Sequence, residues 1–170
     1  MTIIRPADAR DIHVLPEIER SSGEIFRQWP GLEWIADDVV QSEEQHRAML
    51  THGLAMVAEV QDFGIAAFVN GEVTPDSLHI WQIAVHHDQQ GHGIGRKLIE
   101  AMRRSAIDLG INALTLTTFR KVPWNEPYYQ RLGFNTLDGK ELCPRLTAIL
   151  AAEGQAGIPT TLRCAMRKPL

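Results

Sequence analysis

An α/β domain with a mixed sheet of about seven strands flanked by helices is the architecture this 170-residue sequence predicts. Three observations carry that expectation. Seven short segments read as strands, interleaved with helical segments rather than grouped apart. Two of them, Leu54 to Val60 and Ile65 to Val69, flank a Gln61–Gly64 turn and so read as an antiparallel hairpin. A third, Ser77 to Val85, runs through a glycine-rich loop into an amphipathic helix.

Each element has its own signal. Thr2 to Arg5 is a short apolar strand ended by Pro6. Asp8 or Asp11 is placed to cap a helix carrying Ile12, Leu15 and Ile18 on one face, and Pro16 bends that helix or marks its first turn. Asp37 or Asp38 opens a second helix, with Val40, Ala48, Met49 and Leu50 inward and Gly53 after its end. Asn70-Gly71 and Thr74-Pro75-Asp76 punctuate the chain before the central strand. After the glycine loop, Ile94, Leu98, Met102, Ala106 and Leu109 line one helical face that closes at Gly110. There follow a strand at Ala113 to Thr118, a short helix from about Asn125 to Leu132 and a strand at Phe134 to Leu137. A helix at Leu142 to Ala152 and a strand at Thr160 to Met166 complete the order.

Composition narrows the function classes. One domain over residues 1–170 is expected, long enough to bury a sizeable core. A formal charge of −4 with no basic run argues against a nucleic-acid partner. No apolar run approaches a membrane span and no signal pattern opens the chain, so a cytoplasmic location without membrane attachment is expected. Cys143 and Cys164 lack metal-type spacing and read as reduced thiols. His79, His86 and His87 have no clustered partner ligands, so no metal is expected.

The chemistry concentrates in Gln90-Gly91-His92-Gly93-Ile94-Gly95-Arg96. Three glycines let the backbone turn with positive φ and let a ligand approach without meeting a Cβ. The amides point out of a helix N-terminus, where the macrodipole favours an anion. The glycines do not follow the dinucleotide spacing G-x-G-x-x-G, and no Lys-Ser or Lys-Thr closes a P-loop. The spacing Gln90-x-x-Gly93-x-Gly95 resembles the acyl-CoA pyrophosphate loop of the GNAT superfamily of N-acetyltransferases. The order of elements matches that superfamily along nearly the whole chain, with the helix before the last strand as an insertion.

The resemblance implies a sheet splayed at its central strands to hold acyl-CoA, with Gln90, Gly91, Gly93, Gly95 and Arg96 around its diphosphate. It implies that main-chain groups of Ile83 and Val85 pair with pantetheine. In Tyr129-Gln130-Arg131-Leu132-Gly133-Phe134, Tyr129 occupies the place of the family tyrosine beside the CoA sulfur. Asn125 is the candidate for a pantetheine-binding asparagine, although it stands only four residues before Tyr129 and could instead cap the helix. Histone-acetylating members carry a basic glutamate at the position of His79; a histidine can serve as base near neutral pH. Gln82, polar on an apolar strand, is placed to orient substrate or water.

An acceptor surface is expected where Phe26, Trp29 and Trp34 alternate with charged residues, Glu33 among them, around Pro30-Gly31. Phe119 to Trp124 and Leu142 to Ile158 are further specificity segments. The implied activity is transfer of an acetyl group from acetyl-CoA to the primary amine of a small molecule or protein. A non-catalytic CoA-binding module is the alternative, kept open by the absent glutamate and the short approach to Tyr129. An exposed final strand offers a route to a homodimer.

Overall fold

The computed structural model describes all 170 residues as seven strands and five α-helices. The strands are β1 (Thr2–Pro6), β2 (Leu54–Val60), β3 (Gly64–Val73), β4 (Leu78–Val85), β5 (Ala113–Phe119), β6 (Asn135–Thr136) and β7 (Arg163–Pro169). The helices are α1 (Leu15–Ser22), α2 (Glu43–His52), α3 (Ile94–Asp108), α4 (Glu126–Arg131) and α5 (Pro144–Gln155). They build one mixed sheet in the order β1-β2-β3-β4-β5-β7-β6, antiparallel throughout except for the β4–β5 pair.

That single parallel pair follows from α3, the crossover that returns the chain to the same end of the sheet. Its stripe of Ile94, Leu98, Ile99, Met102 and Ala106 is buried against Val69, Leu78, Ile80, Leu114 and Met166. Leu109, expected on that stripe, lies beyond the helix and is exposed. The opposite face of the sheet is covered by α1, where Leu15 and Ile18 pack on Val57, Phe68 and Ala84. A third cluster, Leu32, Phe119 and Val122, gathers Phe26, Trp29 and Trp124 around it.

Local chemistry moved several boundaries. Pro16 lies in the first turn of α1, where its missing N–H has no helical partner to lose. Asp11 does not cap that helix; both its oxygens take the Arg5 guanidinium at 2.8 Å, and Oδ2 also accepts the Asp8 N–H. The second helix starts at Glu43, not Asp37 or Asp38, because Ser42 and Gln45 form a reciprocal capping box. It is anchored by His46, whose ring meets Phe68 edge-on, rather than by Ala48, Met49 and Leu50. Asn70-Gly71 is no turn: β3 runs through it, and the register with β4 shifts there.

Candidate active site

The register shift shapes the site. Gly71 pairs with Ile80 and Asn70 with Gln82, so Trp81 is an extra residue on β4. Such a bulge bends its strand. On the other side, β4 pairs with β5 only at Leu78↔Leu114 and His79↔Thr115, and the two strands then part. The gap opens into a cleft of about 760 Å³ lined by Ile80 to Val85 on one side and Leu116 to Phe119 on the other.

The ladder fixes which main-chain groups face that gap. His86 N–H bonds to Ala66 C=O at 2.8 Å, so Ala84 and Gln82, in phase with it, also bond toward β3. Ile83 and Val85, out of phase, turn their N–H and C=O away from β3 into the gap. Val85 C=O accordingly accepts the Gln90 side-chain amide at 3.0 Å. Gln90 Nε2 also reaches Ser22 C=O at 3.3 Å. Gln90 therefore lines the cleft and uses its side-chain amide to brace the loop against α1.

The cleft ends at the start of α3. Gly93 is the N-cap residue at φ 74°, and Gly91 precedes it at φ 79°. A Cβ at either would point into open space, so the cradle is clear of protein atoms and carries the unpartnered amides of a helix start. Gly95 has another reason to be glycine: a Cβ there would stand 2.9 Å from the Tyr128 hydroxyl. Arg96 is exposed and lies outside this cleft, lining a neighbouring groove with Lys97, Glu100 and Arg104. On the α4 side the cleft is lined by Arg131, its guanidinium 5.8 Å from the centre of the Tyr128 ring.

Tyr129 closes the gap from below. It is only 6% exposed, edge-on to Tyr128 and Phe134 with ring centres 5.3 and 5.7 Å away. Burial pushes its phenol far above the ordinary range, so the group keeps its proton at any physiological pH. Tyr128, its neighbour on α4, lines the same cleft. Asn125 is the N-cap residue of α4 by position, yet its side chain makes no capping bond. Its Oδ1 is buried without a partner and the residue lines the cleft.

Along α1 and the C-terminal end of β5 the lining is aromatic and acidic. Phe26, Phe119 and Trp124 meet edge-on, with Phe26 5.6 Å from Phe119 and 5.5 Å from Trp124. Glu19, from α1, is half-buried in the cleft wall, and its Oε2 accepts the Gln41 N–H at 2.9 Å. Burial pushes its carboxyl up to about 7. Glu19 was missed, though the sequence carries a signal: it stands four residues after Leu15, so a carboxylate falls on the apolar stripe of α1. Arg163 also lines the cleft, held by both oxygens of Glu153 at 2.9 and 3.0 Å and stacked 4.6 Å over Phe119.

Besides Arg96, four expected site residues lie elsewhere. His79 is 1% exposed at the closed end of the β4–β5 ladder, its Nδ1 2.9 Å from Thr115 Oγ1. Burial lowers its pKa to about 4, but it does not line the cleft and cannot take a substrate proton there. Glu33 turns back to accept the Gly31 N–H at 2.8 Å. Trp34 lies exposed outside the cleft, and Trp29 sits behind it, edge-on to Trp124. Phe26 and Gln82 do reach the cleft.

A split parallel pair, a glycine cradle at the following helix and a buried tyrosine are thus brought to one cleft. Residues 17–134 match the family model described as the acetyltransferase (GNAT) family. The chain belongs to the GNAT family. Solved structures agree in fold. The PaiA N-acetyltransferase of Thermoplasma acidophilum, in complex with coenzyme A, superposes with a TM-score of 0.70 at 17% identity, covering 100% of this chain and 99% of that one. The ribosomal-protein-S18-alanine N-acetyltransferase of Escherichia coli gives 0.68 at 19% identity over 99% and 94% of the two chains. A GNAT-family acetyltransferase of Staphylococcus aureus gives 0.72 at 15% identity over 100% and 99%. In this GNAT domain no helix is long and apolar enough to cross a membrane.

Proposed function

We propose that this GNAT domain transfers an acetyl group from acetyl-CoA to a primary amine by direct attack. The observation that carries the reading is the gap between β4 and β5, which runs from buried Tyr129 to the open cradle of Gly91 and Gly93. The residues present fit the cosubstrate. Inward main-chain groups at Ile83 and Val85 and the orphaned Asn125 Oδ1 suit the amides of pantetheine. Helix-start amides at Gly93 suit a diphosphate.

When bound, acetyl-CoA supplies an activated carbonyl and a leaving group whose thiol has a pKa of about 8.5. Main-chain N–H groups on the gap side of β4 are placed to stabilise charge on a carbonyl oxygen. Tyr129, which stays protonated, is the donor for a departing thiolate.

Isothermal titration with acetyl-CoA, against ATP and NAD as controls, tests the binding half. Selective micromolar affinity is the expected result. A thiol-release assay with amine acceptors tests the chemistry, and preference for ATP over acetyl-CoA would overturn the reading.

A further inference from the structure

The ionisable residues lining the cleft are few: Glu19, Arg20, Asp38, Tyr128, Tyr129, Arg131 and Arg163. All lining residues contributed by β4 and β5, Ile80 to Val85 and Leu116 to Phe119, are uncharged. Two of the three arginines are paired with carboxylates. Arg163 is neutralised by Glu153, and the exposed Arg20 pairs with Glu17 at 2.6 Å. Arg131 lies over Tyr128, whose hydroxyl reaches Gly95 at the cradle end. Two carboxylates remain. Asp38 is exposed at the mouth and accepts its neighbour's Val39 N–H. Glu19 is half-buried and receives one hydrogen bond, from Gln41 N–H to Oε2, which leaves Oε1 with no protein donor.

We propose that Glu19 receives the ammonium group of the acceptor and takes its proton, and that the acceptor is an amine on an apolar, preferably aromatic, body with no carboxylate beside the nitrogen. This rests on the acetyl-transfer reading above. An aromatic body matches Phe26, Phe119 and Trp124. A carboxylate beside the amine would be repelled by Glu19 and Asp38, while Arg163, the cation beside Phe119, is already held by Glu153.

The step balances. The ammonium gives one proton to Glu19, and the freed nitrogen lone pair forms the C–N bond to the acetyl carbon. The C–S bond breaks, and the electron pair leaves on sulfur, which takes a proton from Tyr129. The second nitrogen proton returns to Tyr129, and Glu19 releases its own to water. A carboxyl titrating at about 7 is matched to accept a proton at neutral pH. Among its neighbours, Arg20 on the same helix lowers that value and Asp38 raises it, while Gln82 and Ala84 on β4 do neither.

The test compares wild type with Glu19→Gln and Glu19→Asp. The glutamine keeps an oxygen for the Gln41 N–H, so the loop stays braced while the charge is removed. Acetyl-CoA affinity is measured first by calorimetry, without acceptor; failure of wild type to bind overturns the acetyl-transfer reading itself. With binding intact, 2-phenylethylamine is expected to release thiol, and phenylalanine to have a kcat/KM lower by about 10-fold or more. Glu19→Gln should bind acetyl-CoA as wild type does, yet lower kcat/KM for 2-phenylethylamine by about 100-fold. It should also lose the acidic limb of the pH profile near pH 7, and Glu19→Asp should retain a limb. An unchanged pH profile in Glu19→Gln, faster turnover of phenylalanine, or no turnover of either amine overturns the proposal.

Discussion

The hydroxyl of Tyr128 occupies the space that a β-carbon on Gly95 would need, at 2.9 Å from its ideal position. One helix start and one short helix are thereby locked together across the mouth of the cradle. Gly95→Ala should displace Tyr128 and weaken acetyl-CoA binding, although alanine is the better helix former. Tyr128→Phe removes the clashing oxygen, so the double variant should bind more tightly than Gly95→Ala alone. A double-mutant cycle in calorimetry should give a coupling of about 1 kcal/mol; additive effects would mean the two residues do not meet.

Gly93 is a different kind of glycine. Its φ of 74° is a conformation side chains rarely adopt, and its missing side chain leaves the cradle open. Gly93→Val should therefore abolish acetyl-CoA binding while circular dichroism still reports a folded domain. Retained affinity would refute the cradle.

Tyr129→Phe removes the hydroxyl proposed to protonate the departing thiolate and keeps the ring that packs on Phe134. Turnover at saturating substrates should fall by about 100-fold, with acetyl-CoA affinity preserved. Wild-type turnover would remove Tyr129 from the chemistry.

Glu19 should also show in stability. Its folded-state pKa of about 7 lies above the ordinary 4.5, so the folded protein binds this proton more tightly than the unfolded chain. The stabilisation is full below about pH 4.5 and is lost as pH rises through about 7. Urea unfolding of Glu19→Gln should lack this component and give a higher relative stability at pH 8 than at pH 5. The same pH dependence in both proteins would count against a buried carboxyl.

Asp11 behaves in the opposite sense. The Arg5 guanidinium holds its carboxyl below the usual range, so its contribution is present above the unfolded pKa of 3.8 and fades as pH falls through the lower folded value. Asp11→Ala leaves Arg5 without its bidentate partner, though still beside Glu59, and the Asp8 N–H without an acceptor, and should cost about 1.5 kcal/mol at pH 7. A loss under 0.5 kcal/mol, the scale of an exposed pair, would show that the bond contributes little.

Much of this architecture was legible before the structure, because local signals carried it. Apolar periodicity placed α3, alternation and turn chemistry placed the β2–β3 hairpin, and glycine spacing placed the cradle. Tyr129 was found from its spacing to Gly133 and Phe134. The misreadings share one cause. His79 and Glu33 were assigned by residue type and position, yet where their side chains go depends on hydrogen-bond partners that residue type does not show. Thr115 holds His79, and the Gly31 N–H donates to the Glu33 carboxylate.

The sequence by itself determined the elements, the glycine cradle and the tyrosine, since each is written in residues close along the chain. Only the tertiary structure decided where β4 and β5 part and which carboxylate borders the gap. Those depend on the Trp81 bulge, on the packing of α1 across β4 and on the desolvation of Glu19, and burial is a property of the assembled fold rather than of any segment.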